Sequence, residues 1–308
     1  MRKIYIVIAI AVCVMSCSKE PENWGWKYTE TIALEGINPI GLAATEDGFW
    51  ISDGDHNRVV KIDATGKKIT SIDSLDRPMH IAENNGQLVI PQYGNDEVIR
   101  FRESVTPKGN PETILISLLD SLDAPAGADI KSNEIAVADF YNNRIHYANA
   151  ENKWIIFGKK GKAAGEFNYP TDVQITKDAI WVADAYNNRL QKFSKDGKHQ
   201  LTVGEAQKMN ATTGMFVSDE QLFATDFEND RVLVYGLDGS FMQELKQEIN
   251  KPTDMIVKDG KLVVANYKSS SLSIYSWSIL PKILEEKSEV HPHDIHKEVN
   301  LDDYKVGE

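Results

Sequence analysis

Cysteine is nearly missing from this 308-residue chain: there are two, Cys13 and Cys17, and none after position 17. A body without cysteine has no internal disulfide, so its own hydrophobic core must hold it. Long apolar runs are missing too. The one near the N-terminus, residues 4–14, has the length of a signal-peptide core and is too short to span a bilayer comfortably. Positive charge is scarce, with 34 Lys and Arg against 46 Asp and Glu, a formal net charge of −12. Losing residues 1–16 would remove Arg2 and Lys3 and no acid, making the balance two charges more negative. Such a surface repels polyphosphate, which excludes nucleic acid as the expected partner. The chain has no Gly-Lys-Ser/Thr phosphate loop, no Gly-x-Ser-x-Gly elbow and no His-Glu-x-x-His pair. It therefore offers no nucleophile, and no catalytic residue is nominated. No helical period of useful length is visible between residues 36 and 277.

What is present begins with a targeting pattern. Arg2-Lys3 form a short basic region ahead of the apolar stretch, and Val14-Met15-Ser16-Cys17 resembles a bacterial lipobox. In such a motif a small residue before Cys admits the signal peptidase and the Cys takes the lipid. Cys13 is the weaker candidate because branched Val12 precedes it. The reading is a lipoprotein signal peptide over residues 1–16, lipidation at Cys17, and a tether over 17–25. It implies an exported protein of the periplasm or cell surface, held to the membrane by its lipid anchor only. Residues 278–308 read as an acidic C-terminal tail, and its His291-Pro292-His293-Asp294-Ile295-His296 stretch as a solvated segment.

Internal repetition organises the rest. Pro39, Pro78, Pro125, Pro170, Thr212 and Pro252 are each followed after fourteen residues by Asp53, Gln92, Asp139, Asp184, Asp226 and Asn266. Intervals between the latter are 39, 47, 45, 42 and 40 residues, near the period of a four-stranded propeller blade. The longest carries an insertion at residues 103–111. Period-2 runs such as Gln87-Leu88-Val89-Ile90 and Glu134-Ile135-Ala136-Val137 read as strands, and Asp196-Gly197 and Asp238-Gly239 as hairpin turns. The fourth copy is the fullest: Gly165-Glu166-Phe167-Asn168-Tyr169-Pro170-Thr171-Asp172, then Ile180-Trp181-Val182-Ala183-Asp184, then Asn187-Asn188-Arg189-Leu190.

These residues closely resemble the NHL repeat, with its Gly-rich turn, Pro-x-Gly or Pro-x-Asp, β-run, Ala-Asp pair and Asn-x-Arg turn. The resemblance implies an all-β fold, a six-bladed β-propeller of NHL-type repeats over residues 26–277. The sixth copy runs out near Trp277 without a convincing fourth strand, so a strand within residues 26–35 is predicted to close the ring. Arg58, Arg144, Arg189 and Arg231 stand five residues after an Asp, whereas Gln92 is followed by Glu97 and Asn266 by Ser271. This joint loss predicts Asp–Arg pairing within a blade.

In such propellers the innermost strand starts on the same face as the turn between second and third strands. Two residues beyond the Pro-like positions stand Gly41, His80, Gly127, Asp172, Gly214 and Asp254. The polar three fall in alternate blades, so His80, Asp172 and Asp254 converge by symmetry at the channel mouth, where they form a candidate divalent-metal site. Against this stands the reading that Asp there simply accepts a backbone N–H. NHL-like propellers include the peptide-amidating lyase, whose zinc histidines sit directly after Pro. The corresponding residues here are Ile40, Met79, Ala126, Thr171, Thr213 and Thr253, so the resemblance does not extend to that activity. Asp53-Gly54-Asp55-His56-Asn57 opens like a calcium loop but lacks the later bidentate Glu.

Five of the six turns after the Asp-type residue carry rings: Tyr93, Phe140 with Tyr141, Tyr186, Phe227 and Tyr267. Flanked by Asn, Asp and Glu, they suit stacking on sugars or packing on peptide side chains. Alternatively they pack on neighbouring blades and seal the turns. The expected function is a cell-envelope lipoprotein that binds a peptide, glycan or protein partner through this face. The alternative is a metal-dependent lyase or hydrolase at the channel mouth. Lys195 and Lys261 are expected to be exposed on the opposite face.

Overall fold

Runs rich in Val, Ile and aromatic residues, broken by Gly, Asn and Asp, fold as strands throughout. The computed structural model describes residues 23–102, 112–115 (backbone only) and 120–280. The stretch read as a signal peptide, Cys17, the first part of the stretch read as a tether, the 103–111 insertion and residues 281–308, with their histidines, lie outside the described residues.

Blade one comprises β2 (Leu42–Ala44), β3 (Gly48–Asp53), β4 (Arg58–Asp63) and β5 (Lys68–Ile72). Blade two comprises β6 (Ala82–Asn84), β7 (Gln87–Gln92), β8 (Glu97–Arg102) and β9 (Glu112–Leu115). Blade three follows as β10 (Pro125–Lys131), β11 (Glu134–Asp139), β12 (Arg144–Ala148) and β13 (Trp154–Phe157). Blade four is β14 (Pro170–Ile175), β15 (Ile180–Asp184), β16 (Arg189–Phe193) and β17 (His199–Val203). Blade five is β18 (Met215–Val217), β19 (Gln221–Asp226), β20 (Arg231–Gly236) and β21 (Phe241–Leu245). Blade six has β22 (Pro252–Lys258), β23 (Lys261–Asn266) and β24 (Ser271–Ile279), and takes β1 (Trp24–Ala33) as its outer strand. The predicted closure is therefore present. One compact unit spans Trp24–Ser278.

β1 starts two residues inside the stretch read as tether, because Trp26 has surface to bury. Trp26 meets Phe223 and Trp277 edge-on, with centroids 5.7 and 5.5 Å apart, and its indole N–H donates to Gln221 Oε1 at 3.0 Å. Gln243 of blade five bonds both the N–H and the C=O of Trp26, each at 2.8 Å. Thr29 donates to the Ile274 carbonyl at 3.0 Å. At the other end β24 runs to Ile279, into the stretch read as tail.

The core is divided rather than central. Six apolar clusters occupy the six seams between adjacent blades. Middle strands are buried on both faces, as in β15, where every residue is buried, whereas outer strands such as β5 are largely exposed. Burying a large side chain such as Trp181 contributes about 2–3 kcal/mol. With a seam on both sides, no blade is a free-standing unit. Gly66, Gly197 and Gly239 adopt positive φ of 90°, 80° and 86° in turns joining third to fourth strands, a conformation that favours glycine.

Candidate functional site: loop face and channel mouth

The site is built by a device repeated in each blade. The Asp-type residue ends the second strand and accepts a backbone N–H from just ahead of the Pro-like residue. The donors are Asn38 to Asp53 at 3.2 Å, Asp76 to Gln92 at 3.0 Å, Asp123 to Asp139 at 2.8 Å, Asn168 to Asp184 at 2.7 Å, Asn210 to Asp226 at 2.7 Å and Asn250 to Asn266 at 3.0 Å. Where Arg follows, its Nε donates to the other oxygen: Arg58 at 2.9 Å, Arg144 at 2.7 Å, Arg189 at 2.8 Å and Arg231 at 2.6 Å. The predicted Asp–Arg contacts are thus present in blades one, three, four and five. Asp53 also meets His56 Nδ1 at 2.7 Å, and Asp55 takes Asn38 Nδ2 at 2.9 Å, so both carboxylates of the calcium-like turn already have protein partners.

Blades are then stapled together on this face. Asn57, Asp96, Asn143, Asn188 and Asp230, at positive φ of 51–62°, accept the N–H of Arg77, Ala124, Tyr169, Ala211 and Lys251 in the next blade, at 2.7–3.0 Å. Asn and Asp tolerate the left-handed conformation and supply the acceptor, which is why one or the other stands directly before the Arg-type position, in the middle of the Asn-x-Arg turn.

A register shift after Pro125, Pro170 and Pro252 re-aims the residue two positions on toward the axis. There the alternation seen in sequence becomes a steric rule. A Cβ on Gly41, Gly127 or Gly214 would lie 2.6, 2.6 or 2.3 Å from the carbonyl oxygen of Met79, Thr171 or Thr253 in the next blade. Glycine in blades one, three and five lets His80, Asp172 and Asp254 approach. Their donor atoms all lie within 4.8 Å of one another, and all three side chains are buried. His80 Nδ1 is 3.6 Å from Asp254 Oδ2, too far for a good hydrogen bond.

Both carboxylates also accept backbone N–H groups. Asp172 takes Val173 at 2.8 Å and Met215 at 3.0 Å; Asp254 takes Met255 at 2.8 Å and Leu42 at 2.7 Å. Each thereby ties its own inner strand to the next. The cluster and the backbone role weighed in sequence coexist. Burial pushes the Asp172 carboxyl up to about 7, against the pull of His80. For His80, burial works downward, but Asp254 and Asp172 outweigh it and leave the imidazole above its ordinary value.

Behind the cluster runs an axial channel of about 350 Å³. Asp129, missed in sequence, lies along it, accepts the N–H of Ile130 and Ile175, and is pushed up to about 6 by burial. Its signal was the inner-strand alternation, since it stands two residues beyond Gly127 and again faces the axis.

The six loop rings do not form one belt. Tyr93, Phe140 and Tyr141 contact one another directly, and Tyr186 joins them in a contiguous cluster across blades two to four through Tyr169, which sequence reading missed. Phe140 stacks on Tyr169 at 4.8 Å, Tyr169 meets Tyr186 at 5.2 Å, and the Tyr93 and Tyr141 hydroxyls bond at 2.8 Å. Tyr169 directly precedes Pro170, a position already placed on this face. Phe227 stands apart beneath Lys251, and Tyr267 donates its hydroxyl to Asp55 at 2.7 Å. Arg77 lies over Tyr93 and Lys160 over Tyr169, at 4.9 and 5.6 Å from the ring centroids. Tyr141 and Tyr186 remain 48% and 61% exposed. On the opposite face Lys195 is not free as expected, because its ammonium pairs with Glu134 at 2.6 Å. Lys261 is exposed and reaches Glu30 at 3.5 Å.

Fold and site define a six-bladed β-propeller with a polar axial cluster and an aromatic sector on its loop face. Solved structures of the same architecture include a streptogramin B lyase, at 15% identity and TM-score 0.58, covering 83% of this chain and 98% of that one. Virginiamycin B lyase from Staphylococcus aureus matches at 15% identity and TM-score 0.57, over 82% and 99%. A structural-genomics protein of unknown function from Bacteroides thetaiotaomicron matches at 14% and 0.60, over 85% and 74%. At these identities the likeness is one of fold. No curated protein matches the sequence. The family model of the NHL repeat matches residues 167–193 in blade four, and the chain is an NHL-repeat propeller.

Proposed function

We propose that the protein is a cell-envelope lipoprotein, anchored through Cys17, whose propeller binds a peptide, glycan or protein partner on the loop face. The observation that carries this reading is the five-ring cluster of Tyr93, Phe140, Tyr141, Tyr169 and Tyr186. Tyr141 is held edge-on by Phe140 and Tyr169, and Tyr186 edge-on by Tyr169, so the exposed faces of Tyr141 and Tyr186 are offered at small entropy cost. Arg77 and Lys160 are each laid over a ring, and the net charge of −12 opposes a polyanion, so nucleic acid is not the partner proposed.

The test is a glycan array and a peptide library screened with the wild-type chain, Tyr186→Ala, Tyr141→Ala and Lys177→Ala. Lys177 is exposed in the turn between β14 and β15, on the opposite face. Each Tyr variant is expected to lose about 2 kcal/mol, roughly thirtyfold in affinity, with unchanged melting, while Lys177→Ala binds as wild type. Equal affinities for all three would move the site elsewhere. Anchoring is tested separately by Cys17→Ala, which is expected to leave the membrane fraction. A second reading, a metal-dependent lyase or hydrolase, rests on His80, Asp172 and Asp254 and requires first that they hold a metal.

A further inference from the structure

Three polar side chains buried around one axis pose an electrostatic problem that the protein's own groups leave unsolved. His80, Asp172 and Asp254 are 3%, 8% and 5% exposed. His80 Nδ1 is a buried nitrogen with no hydrogen-bond partner, and it faces two carboxylates. An orphaned buried polar atom calls for an explanation, and two buried carboxylates facing each other call for a positive charge between them.

We propose that this axial cluster is a divalent-cation site, in which His80 Nδ1 and one oxygen from each of Asp172 and Asp254 bind a single first-row transition-metal ion of the Zn²⁺ or Mn²⁺ kind. Nitrogen and oxygen ligands lie roughly 2.0–2.2 Å from such an ion, which sets them roughly 3–4 Å apart. The observed spread of at most 4.8 Å closes to that by small side-chain rotations. The carboxylates are already oriented from behind by Val173 and Met215, and by Met255 and Leu42. Every carboxylate oxygen has a second lone pair to offer, so these bonds act as the outer partners that metal ligands ordinarily have. One imidazole and two carboxylates suit a borderline first-row ion. Ca²⁺ demands six to eight oxygens, and three protein donors supply too few of them.

The glycine alternation supports the same conclusion. Gly41, Gly127 and Gly214 admit no Cβ, and they bring the intervening blades' strand starts close enough for three residues separated by 92 and 82 sequence positions to meet. Asp172 and Asp254 line the axial channel, which provides an entry path. Three protein ligands leave coordination positions open, as in sites that bind water or a small ligand at the metal. The proposal is independent of the aromatic sector, since none of the five rings belongs to it.

The test is metal binding to the full chain carrying His291→Ala, His293→Ala and His296→Ala, so that the tail adds no imidazole. After chelator treatment, Zn²⁺ and Mn²⁺ are titrated separately by calorimetry, and bound metal is counted by elemental analysis. One ion per chain is expected, with Kd below about 10 μM for at least one of the two and a raised Tm in its presence. His80→Leu is the decisive variant. The side chain's Nδ1 makes no hydrogen bond in the fold, so the variant should still fold and melt cooperatively, at a somewhat lower Tm because Asp172 and Asp254 lose the imidazole's charge, while binding the ion at least about a hundredfold more weakly. Asp172→Asn and Asp254→Asn, which keep one acceptor oxygen, should weaken binding as well. A parent chain that takes up neither ion, or a folded His80→Leu variant that binds as the parent does, would overturn the proposal.

Discussion

Asp184 in blade four and Gln92 in blade two stand at the same place in their repeats and hold the same backbone by different chemistry. Both accept an N–H from two residues ahead of the proline, Asn168 at 2.7 Å and Asp76 at 3.0 Å. Asp184 then gathers Asn187 Nδ2 at 2.9 Å, Arg189 Nε at 2.8 Å and Gln191 Nε2 at 2.9 Å. Arg189 in turn donates to the carbonyls of Lys162, Ala163 and Glu166. Gln92 has one long contact, 3.5 Å to Glu97, whose carboxylate takes Asn95 at 2.9 Å. The blade geometry therefore needs an acceptor at this position, and the ion pair is one way to supply it. The NHL family model matches blade four, where the ion pair and the amides around it are all present.

The sharpest way to break the comparison is Asp184→Ala. It leaves the Arg189 guanidinium, 6% exposed, without its counter-charge, and the expected loss is about 3–5 kcal/mol in chemical denaturation. A loss below about 1 kcal/mol would show that the three carbonyls hold Arg189 alone. Burial pushes the Asp184 carboxyl upward despite its four donors, a sign that desolvation consumes much of what the pair gains. Copying blade two into blade four, as Asp184→Gln with Arg189→Glu, is therefore expected to be milder, about 2 kcal/mol, and milder than Asp184→Gln alone. If the double variant is the worse one, the two blades do not use interchangeable solutions.

What could be read in advance divides along the same line. The fourteen-residue spacing was legible because it is a short-range pattern repeated six times, the Asp–Arg pairs because they are kept in four copies and lost jointly in two, and the closing strand because the sixth copy alone lacks a fourth strand. The convergence of His80, Asp172 and Asp254 was legible because symmetry converts alternate positions into neighbours. Tyr169 was missed because its ring acts from the residue before the proline rather than from the turn after Asp. The split of Phe227 and Tyr267 from the other rings was not legible either. It depends on Lys251 and Asp55, partners contributed by adjacent blades, and no period marks them.

The smallest effect belongs to the neutral member of the comparison. Gln92→Ala removes the acceptor for the Asp76 N–H and the long contact to Glu97, but it strands no charge. Asp76 is exposed, so water can take over its N–H, and the remaining loss is one hydrogen bond and a small void at a position 5% exposed. The neighbouring bonds from Tyr93 N to Arg77 O and from Gly94 N to Asp76 O, each 3.1 Å, still hold the two strands' ends together. A loss of about 1 kcal/mol is expected, a third or less of that for Asp184→Ala, measured in the same denaturant series. Because Tyr93 follows Gln92 directly, binding in the array experiment gives a second reading of the same variant. Unchanged stability with weakened binding would mean that Gln92 serves to place the Tyr93 ring, whereas losses as large as those of Asp184→Ala would mean that the backbone bond outweighs the ion pair in both blades.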